Sequence, residues 1–293
     1  METLHSLFQI IQIGVLQGLL LSAAVVSFAV SFRLMNFPDV SIEGSLPLGA
    51  AVYAVFVRGG TSPVIAALFA CAVGSACGAT TAYLNLRFQV NQFLSGIIVS
   101  SVCYSLSLRI MDGPNIGLLE ASRLLPVANY QLSLGMVAFA TTFGLCALLQ
   151  SRVGIPLRAA GANPSFATSM GLNSGLLLAL GLAIGNGYSA FAGVLQADYQ
   201  GFADLSSGQG TLIIALASLA IGEAVTPSKR LPYPLYVCIS ALLGSVTYGV
   251  LLAIAVRSGL SPRDLRLATA LLVLVAVASR TLASKGPSNL PNG

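Results

Sequence analysis

The feature that most constrains this chain is a set of long stretches that contain no charged side chain. The clearest are residues 6–32, 59–86, 88–108, 124–151 and 231–256, and a further one fits residues 174–197. Each reaches the ~20 residues that an α-helix needs to cross a bilayer. Because the hydrocarbon core offers no water to bond the backbone, each stretch is predicted to form a transmembrane helix.

Composition supports the same fold class. Apolar residues make up 56% of the 293-residue chain and charged residues 8%, against about 25% charged residues in soluble domains. The chain is therefore predicted to be an all-α polytopic membrane protein with about 8–10 transmembrane helices in one domain, residues 1–293. The net charge of +5 is spread along the chain, so the expected partner is the lipid bilayer and not nucleic acid.

Two of the apolar stretches are short and interrupted. Residues 44–57 include Pro47, and residues 205–222 open with Gly208 and Gly210. Short segments broken by Gly or Pro often line the substrate site of transporters, so broken helices are predicted here.

The apolar stretch nearest the C-terminus, residues 267–279, is also short for a bilayer. Ser261 and Asp264 have the spacing of a capping box, in which a Ser and an acidic residue three positions later bond the free N–H groups of a helix start. A final transmembrane helix is predicted to begin there.

A five-residue motif occurs twice, each time directly before a short span. Residues 37–41 read Phe-Pro-Asp-Val-Ser and residues 202–206 read Phe-Ala-Asp-Leu-Ser, and we name them the first and the second motif. Duplicated halves with broken helices in matching positions are typical of transporters, which predicts repeat halves at about residues 30–150 and 174–284. About five predicted crossings separate the motifs, so the repeat is predicted to be inverted.

The motif carboxylates, Asp39 and Asp204, have two compatible interpretations. An Asp before a helix accepts hydrogen bonds from free N–H groups and favours the positive end of the helix dipole. The same helix starts can also line or gate a pathway. Asn91 and Asn186, which lie in or beside spans, are expected to bond other helices rather than a ligand.

A polar segment, residues 158–173, separates two of the spans. Asn163 is suited to cap a helix, Pro164 to occupy its first position, and Gly171 to end it about two turns later. A short, well-delimited helix between spans is suited to docking onto another protein. The alternative is an ordinary loop helix without a partner.

Sequence signatures of catalysis are missing from this chain. Its two lysines, Lys229 and Lys285, do not follow the Gly-x-x-x-x-Gly-Lys-Ser/Thr pattern that cradles phosphates, and its single histidine is His5. The chain is therefore expected to be no enzyme and to hold no cofactor. Carboxylates are nearly missing from the spans, which disfavours proton coupling but leaves sodium coupling through backbone carbonyls open.

Four ordered blocks of sequence indicate a family. They are Asn-Phe-Pro-Asp-Val-Ser-Ile-Glu-Gly-Ser (36–45) with Pro-Leu-Gly-Ala-Ala (47–51), Leu-Ser-Gly-Ile-Ile (94–98) to Gly-Pro-Asn-Ile (113–116), Gly-Ala-Asn-Pro (161–164) to Met-Gly-Leu-Asn (170–173), and Tyr-Gln-Gly-Phe-Ala-Asp (199–204) to Ile-Gly-Glu (221–223). Over about residues 10–280, the chain resembles the permease subunits of bacterial ABC importers in the branched-chain amino acid and ribose permease superfamily. It is most similar to the tryptophan- and tyrosine-type uptake subgroup.

The resemblance implies a division of labour among several chains. This chain would be the transport subunit in the bacterial inner membrane, with a second copy of itself beside it. A dimer of cytoplasmic ABC ATPases would hold ATP and Mg, and an extracytoplasmic solute-binding protein would deliver the solute. The solute would be small, an amino acid or a related compound, and would pass by alternating access.

The resemblance also implies roles for individual residues. Residues 152–173 would form a cytoplasmic coupling loop, with Phe166 as its apolar anchor because aromatic side chains often dominate interfaces. The coupling positions are Asn163, Pro164, Ser165, Phe166, Ala167 and Gly171. The pathway positions are Phe37, Asp39, Ser41, Glu43, Asn91, Phe202, Asp204 and Ser206.

Three other functions compete with this one. A stand-alone, ion-coupled secondary transporter explains the repeat and the broken helices equally well. An intramembrane enzyme would need convergent acid, base or metal groups that the spans do not offer, and a structural subunit would transport nothing. If residues 152–173 face the cytoplasm, a nine-span count places the N-terminus outside and a ten-span count places it inside.

Overall fold

The computed structural model describes residues 2–118, 122–226 and 231–259. These residues form ten α-helices, joined by short turns and one small sheet: α1 (Glu2–Ala29), α2 (Ile42–Arg58), α3 (Pro63–Phe88), α4 (Gln92–Met111), α5 (Tyr130–Gln150), α6 (Gly154–Ala162), α7 (Pro164–Ser169), α8 (Ser174–Gln200), α9 (Thr211–Val225) and α10 (Tyr233–Arg257). A turn of π-helix, Val30–Leu34, extends α1, and short 3-10 helices cover Val127–Asn129 and Leu205–Gly208.

Seven segments of the described chain are long and apolar enough to cross a membrane. They are Gln9–Leu34, Pro63–Phe88, Gln92–Met111, Tyr130–Gln150, Ser174–Gln200, Leu205–Val225 and Tyr233–Arg257. The predicted all-α polytopic membrane fold is confirmed. The predicted last span, residues 267–279 with its start at Ser261, lies outside the described residues.

Both short spans contain short α-helices, as predicted, but only the second is interrupted, because α2 runs through Pro47 without a break. The second begins as the 3-10 helix Leu205–Gly208 and continues after Gly210 as the 15-residue α9. The first is the 17-residue α2, which begins directly after the first motif. At ~1.5 Å per residue, neither α-helix alone spans the ~30 Å of a hydrocarbon core.

Glycines allow the long helices to pack backbone to backbone. Gly14 and Gly18 of α1 lie directly against the α10 backbone at Val250 and Val246. Gly74 and Gly78 of α3 lie in the same way against α8, since small residues let helix backbones approach closely.

Each of the two parts of the chain that carry a motif packs its helices against helices of the other part. The helix before the first motif, α1, packs on α10, and the helix before the second motif, α8, packs on α3. The short helices follow the same rule, since α2 packs along α8 and α9 along α1. This reciprocal pattern is what two intertwined copies of one unit produce. The boundaries of the predicted halves, 30–150 and 174–284, stay a prediction.

The bundle has two ends, which we name the α6–α7 face and the opposite face. Helices α6 and α7 connect the end of α5 to the start of α8. At the opposite face, strand β1 (Asn115–Gly117) pairs antiparallel with strand β2 (Phe202–Asp204), with Ile116 opposite Ala203. Since α1 is antiparallel to α10 and ends beside α6, it begins at the opposite face. Of the two predicted topologies, the nine-span one places the N-terminus opposite the polar segment, as observed.

Candidate functional site

The first motif reaches the middle of the membrane protein from the α6–α7 face. The Asn186 amide nitrogen donates a hydrogen bond to the Asp39 carboxylate at 2.6 Å. Asn186 lies near the middle of α8 (Ser174–Gln200), so Asp39 lies halfway along that span. The prediction that Asn186 bonds another part of the bundle is confirmed.

The Asp39 carboxylate is enclosed by hydrogen-bond donors. The Ser41 N–H donates to Asp39 Oδ1 at 2.9 Å, and the Ser41 hydroxyl lies within hydrogen-bonding distance of both Asp39 Oδ1 and Asn186 Oδ1. Asp39, Ser41 and Asn186 are all 0% exposed. Asp39 accepts from the N–H of Ser41, the residue before α2, and not from an N–H within the helix as predicted. The network nevertheless holds the start of α2 at half depth.

Phe37 anchors the same motif by packing. Its side chain is fully buried, in a cluster with Met35, Ala82, Leu157 and Leu182. Leu157 belongs to α6, so the first motif is in direct contact with the segment that leads to α7. In this conformation Phe37, Asp39 and Ser41 hold helices together and do not line an open surface.

The second motif repeats the local hydrogen bonds in an open setting. The Ser206 N–H donates to Asp204 Oδ1 at 3.1 Å, and the Ser206 hydroxyl donates to Asp204 Oδ2. The predicted capping role of Asp204 is therefore confirmed. However, Ser206 is exposed, Asp204 is partly exposed, and Phe202 is 41% exposed.

The two short helices begin next to each other although they enter from opposite faces. The Leu212 N–H, in the first turn of α9, donates to Glu43 Oε1 at 3.2 Å. Gly208 lies against the Glu43 carbonyl and the Pro47 ring, and a Cβ there would collide with that carbonyl. The Glu43 carboxylate thus lies at the positive end of the α9 dipole, where a negative charge is stabilised.

The eight predicted pathway residues separate into three places. Phe37, Asp39, Ser41 and Glu43 lie at the centre, and Phe202, Asp204 and Ser206 lie between the centre and the opposite face. Asn91 accepts from the Phe93 N–H at 2.9 Å and so caps its own helix, α4, instead of bonding another helix as predicted. Seven of the eight therefore lie at the centre or between the centre and the opposite face, whereas Asn91 lies at the start of α4.

Polar residues on α4 were missed by the sequence analysis. Ser101, Ser105 and Arg109 follow one another at helical spacing on an exposed face, and they line a cavity of about 440 Å³ with Val102 and Leu106. Helix α4 contacts the 3-10 helix Leu205–Gly208, which begins within the second motif. The four-residue spacing of these polar residues in an apolar span was the signal that could have indicated this surface.

The polar segment forms the predicted short helix. The Asn163 side chain accepts from the Phe166 N–H at 3.0 Å, Pro164 opens α7, and Gly171 adopts φ +80° after it. The predicted start and stop are confirmed. Helix α6, which precedes this cap, was not predicted.

Helix α7 carries an exposed apolar surface at the end of the bundle. Phe166 is 58% exposed and its neighbour Met170 is also exposed, whereas Ala167 is buried against the protein. Ser165 is exposed beside them. Asn173 then caps α8 by accepting from the Leu176 N–H at 3.0 Å.

No metal-binding arrangement is found in the part of the chain that the structure describes, since no three His, Cys, Asp or Glu side chains group together there. Asp198, an acidic side chain near a span end, has hydrogen-bond partners of its own. Asp198 accepts from the Tyr53 hydroxyl and the Leu124 N–H, both at 2.7 Å, which ties α2 and the loop before α5 to α8.

The family described as branched-chain amino acid transport system / permease component matches residues 10–278. The chain belongs to this family. It is 33% identical over 271 residues to the tyrosine transport system permease protein of Clostridioides difficile (strain R20291), an alignment that covers 91% of this chain and 90% of the relative. It is 27% identical over 267 residues to the uncharacterized protein RP368 of Rickettsia prowazekii (strain Madrid E), with coverage of 90% and 95%. No solved structure matches the chain.

Membership confirms the family predicted from the four sequence blocks. The permease is therefore a multi-pass membrane transport subunit and not an enzyme. The matched range includes both motifs, the short helices and α7.

Proposed function

We propose that this permease is the membrane-spanning subunit of an ATP-driven ABC importer for a small solute. The observation that carries the proposal is the family match over residues 10–278, which includes a capped, exposed α7 between two spans. The proposed complex contains two permease copies, a cytoplasmic ATPase dimer that holds ATP and Mg, and an extracytoplasmic solute-binding protein.

In this proposal, residues 152–173 form the coupling loop, and α7 docks into the ATPase. The exposed Phe166 and Met170 supply an apolar contact, and Asn163, Pro164 and Gly171 set the length and direction of the helix. The cytoplasmic location of the α6–α7 face in the bacterial inner membrane follows from the proposed docking and not from charge. Described arginines lie at both ends of the bundle: Arg87, Arg152 and Arg158 at the α6–α7 face, and Arg58, Arg109 and Arg257 at the opposite face.

The proposed pathway runs between the two permease copies, beside the short helices. Phe202 and Ser206 of the second motif and the polar surface of α4 are exposed and available to a solute or a second copy. Phe37, Asp39 and Ser41 act behind this surface by fixing α2. Alternating access would arise when ATPase closure moves α6–α7 against the bundle.

The proposed solute is an amino acid or a related compound. The support is the printed name of the Clostridioides difficile relative, a tyrosine transport system permease. Tyrosine is therefore the first solute to test, followed by other aromatic and branched-chain amino acids.

The proposal is tested by gentle purification of the chain from its native membrane and identification of the proteins that accompany it. A stoichiometric ABC ATPase is the expected result. A pure permease without ATPase, from a preparation in which other membrane complexes survive, would contradict it and favour the ion-coupled secondary transporter.

The proposed coupling role of Phe166 is tested by a separate substitution. Phe166→Ala is expected to lower solute-stimulated ATP hydrolysis of the assembled complex by about tenfold or more, because aromatic anchors at interfaces are often worth ≥2 kcal/mol. Phe139→Ala is the matched control, since Phe139 is a similarly exposed phenylalanine on α5, away from this face. Equal stimulation in both variants would contradict the coupling role of Phe166.

A further inference from the structure

An ion pair that the sequence did not indicate joins the ends of α1 and α9. Arg33 Nε and Nη2 contact the two carboxylate oxygens of Glu223 at 2.6 and 2.7 Å. The Glu223 side chain is 2% exposed and the Arg33 side chain 34%. The two residues are 190 positions apart, so only the folded bundle brings them together.

The stability of the fold alone does not explain why an ion pair lies at this position. Removing two charges from water costs much of what their attraction returns, so a packed apolar pair is often as stable or more stable. Ionisable residues within membrane spans, in turn, often mark functional positions, and Arg33 and Glu223 each lie in the last turn of a span. The two-point geometry of Arg33 on a carboxylate also fixes orientation, which a single contact would not do.

The pair lies where the α6–α7 segment contacts the bundle. Arg33 belongs to the π-helical turn Val30–Leu34, and such turns are frequent at functional sites. Gly161 of α6 lies against the Leu34 carbonyl, and a Cβ there would collide with it. Because these backbones already touch, a shift of α6 toward the bundle must displace the turn that carries Arg33.

Helix α10 contributes two further contacts to the same region. The Tyr233 hydroxyl donates to the Arg33 carbonyl at 3.0 Å, and the Tyr236 hydroxyl donates to the Glu223 carbonyl at 3.4 Å. Glu223, in the last turn of α9, is thus bonded to Arg33 through its side chain and to α10 through its backbone carbonyl.

The other end of α9 lies at the centre of the protein. Its first turn donates the Leu212 N–H to Glu43, in the first turn of α2. A helix of 15 residues is ~22 Å long, so α9 connects the α6–α7 face to the centre as one rigid element. The contacts run from Gly161 through Arg33 and Glu223 to α9, and from there to Glu43.

We propose that Arg33 and Glu223 are positioning residues of the transport cycle, which carry the displacement of α6–α7 to α9 and so to the start of α2. This inference rests on the proposed ATP-driven import. It assigns the pair a role in how much solute moves per ATP hydrolysed, and none in binding the ATPase or the solute.

The test uses the complete permease–ATPase complex in proteoliposomes, with its binding protein and transported solute. Arg33→Met/Glu223→Leu replaces the ion pair by an apolar pair that can pack, and Arg33→Lys keeps the charge without the two-point geometry. Both are expected to assemble with the ATPase, and the apolar pair is expected to lower solute moved per ATP by about fivefold or more. The charge exchange Arg33→Glu/Glu223→Arg is expected to recover part of the ratio that Arg33→Glu loses.

A control variant and two contrary results distinguish failure of the ion-pair role from failure of the importer function. Arg87→Met removes an exposed arginine at the end of α3 on the same face and is expected to leave the ratio unchanged. A wild-type ratio in both Arg33→Lys and the apolar pair would overturn the inference while leaving the importer intact. Absence of ATP-driven uptake by the wild-type complex would overturn the proposed function, and the inference with it.

A second readout follows α9 directly. Ile213 is exposed near the start of α9, and a single cysteine placed there, with the five native cysteines replaced, reports the motion of this helix by its labelling rate. ATP is expected to change the labelling rate in the protein that keeps Arg33 and Glu223. It is not expected to change the rate in the Arg33→Met/Glu223→Leu variant. The same ATP-dependent change in both backgrounds would overturn the inference.

Discussion

Asp39 and Asp204 occupy the same position in two copies of one motif, and each accepts a hydrogen bond from the backbone N–H two residues ahead. Their surroundings differ. Asp39 is fully buried and bonded to Asn186 of another helix, whereas Asp204 is partly exposed and bonded within its own motif. The short-range pattern therefore specifies the turn, and the packing around it decides whether the copy is a fixed internal support or an accessible surface.

Because of this difference, the starts of the two short helices have different roles. The first motif fixes α2 between α8, α3 and α4 and contacts α6 through Phe37. The second motif leaves Phe202 and Ser206 accessible at the edge of the bundle. Substitutions at equivalent positions should therefore affect stability in the first copy and transport in the second.

The largest contrast is expected at the motif phenylalanines. Phe37→Ala should lower the free energy of unfolding by about 3–5 kcal/mol, because it opens a cavity among packed side chains. Phe202→Ala should change it by less than about 1 kcal/mol, since much of that ring is already exposed. Unfolding titrations in detergent measure both values, and similar losses would contradict the contrast between the copies.

The motif carboxylates should show the next contrast. Asp39→Ala removes the shared acceptor of the Asn186 amide and the Ser41 N–H in a buried site, although the amide keeps its bond to the Leu182 carbonyl. The expected loss is about 2–4 kcal/mol. Asp204→Ala removes a cap from an accessible turn and should cost about 1 kcal/mol. The yield of monodisperse protein and the unfolding midpoint measure the difference. An Asp39→Ala protein as stable as Asp204→Ala would show that the network does not hold α2.

The smallest contrast is expected at the motif serines. Ser41→Ala removes one buried hydroxyl that contacts both Asp39 and Asn186, for about 1 kcal/mol. Ser206→Ala removes an exposed hydroxyl, and its effect on unfolding should lie within about 0.5 kcal/mol. If Ser206→Ala changes solute uptake without changing stability, the second copy is placed at the pathway. If it changes stability more than Ser41→Ala does, the contrast between the copies is wrong.

The spans were predictable because each is bounded by charges. Arg87 and Arg109 delimit α4, for example, and the absence of charge between them was sufficient to locate the helix to within a few residues. The cap of α7 was equally local, since Asn163 bonds an N–H three residues ahead. Patterns of this kind depend on neighbours in sequence, and a single sequence contains them.

Contacts between distant residues were not predictable in the same way. Asn186 was expected to bond another helix, but nothing near it in sequence designates Asp39. The three-residue strands β1 and β2 pair across the opposite face and are too short to leave an alternating pattern. The two motifs are also alike in sequence, so their different burial arises only from the helices that surround them.

Uptake into proteoliposomes distinguishes ATP-driven import from ion-coupled transport. The permease is reconstituted with its co-purifying ATPase, and the entry of labelled amino acids, tyrosine first, is followed in the presence of the binding protein. If the permease belongs to an ATP-driven importer, uptake requires ATP and Mg²⁺, ceases when the ATPase is omitted, and falls in Phe166→Ala but not in Phe139→Ala. Uptake by the permease alone, driven by an ion gradient and unaffected by Phe166→Ala, would contradict ATP-driven import.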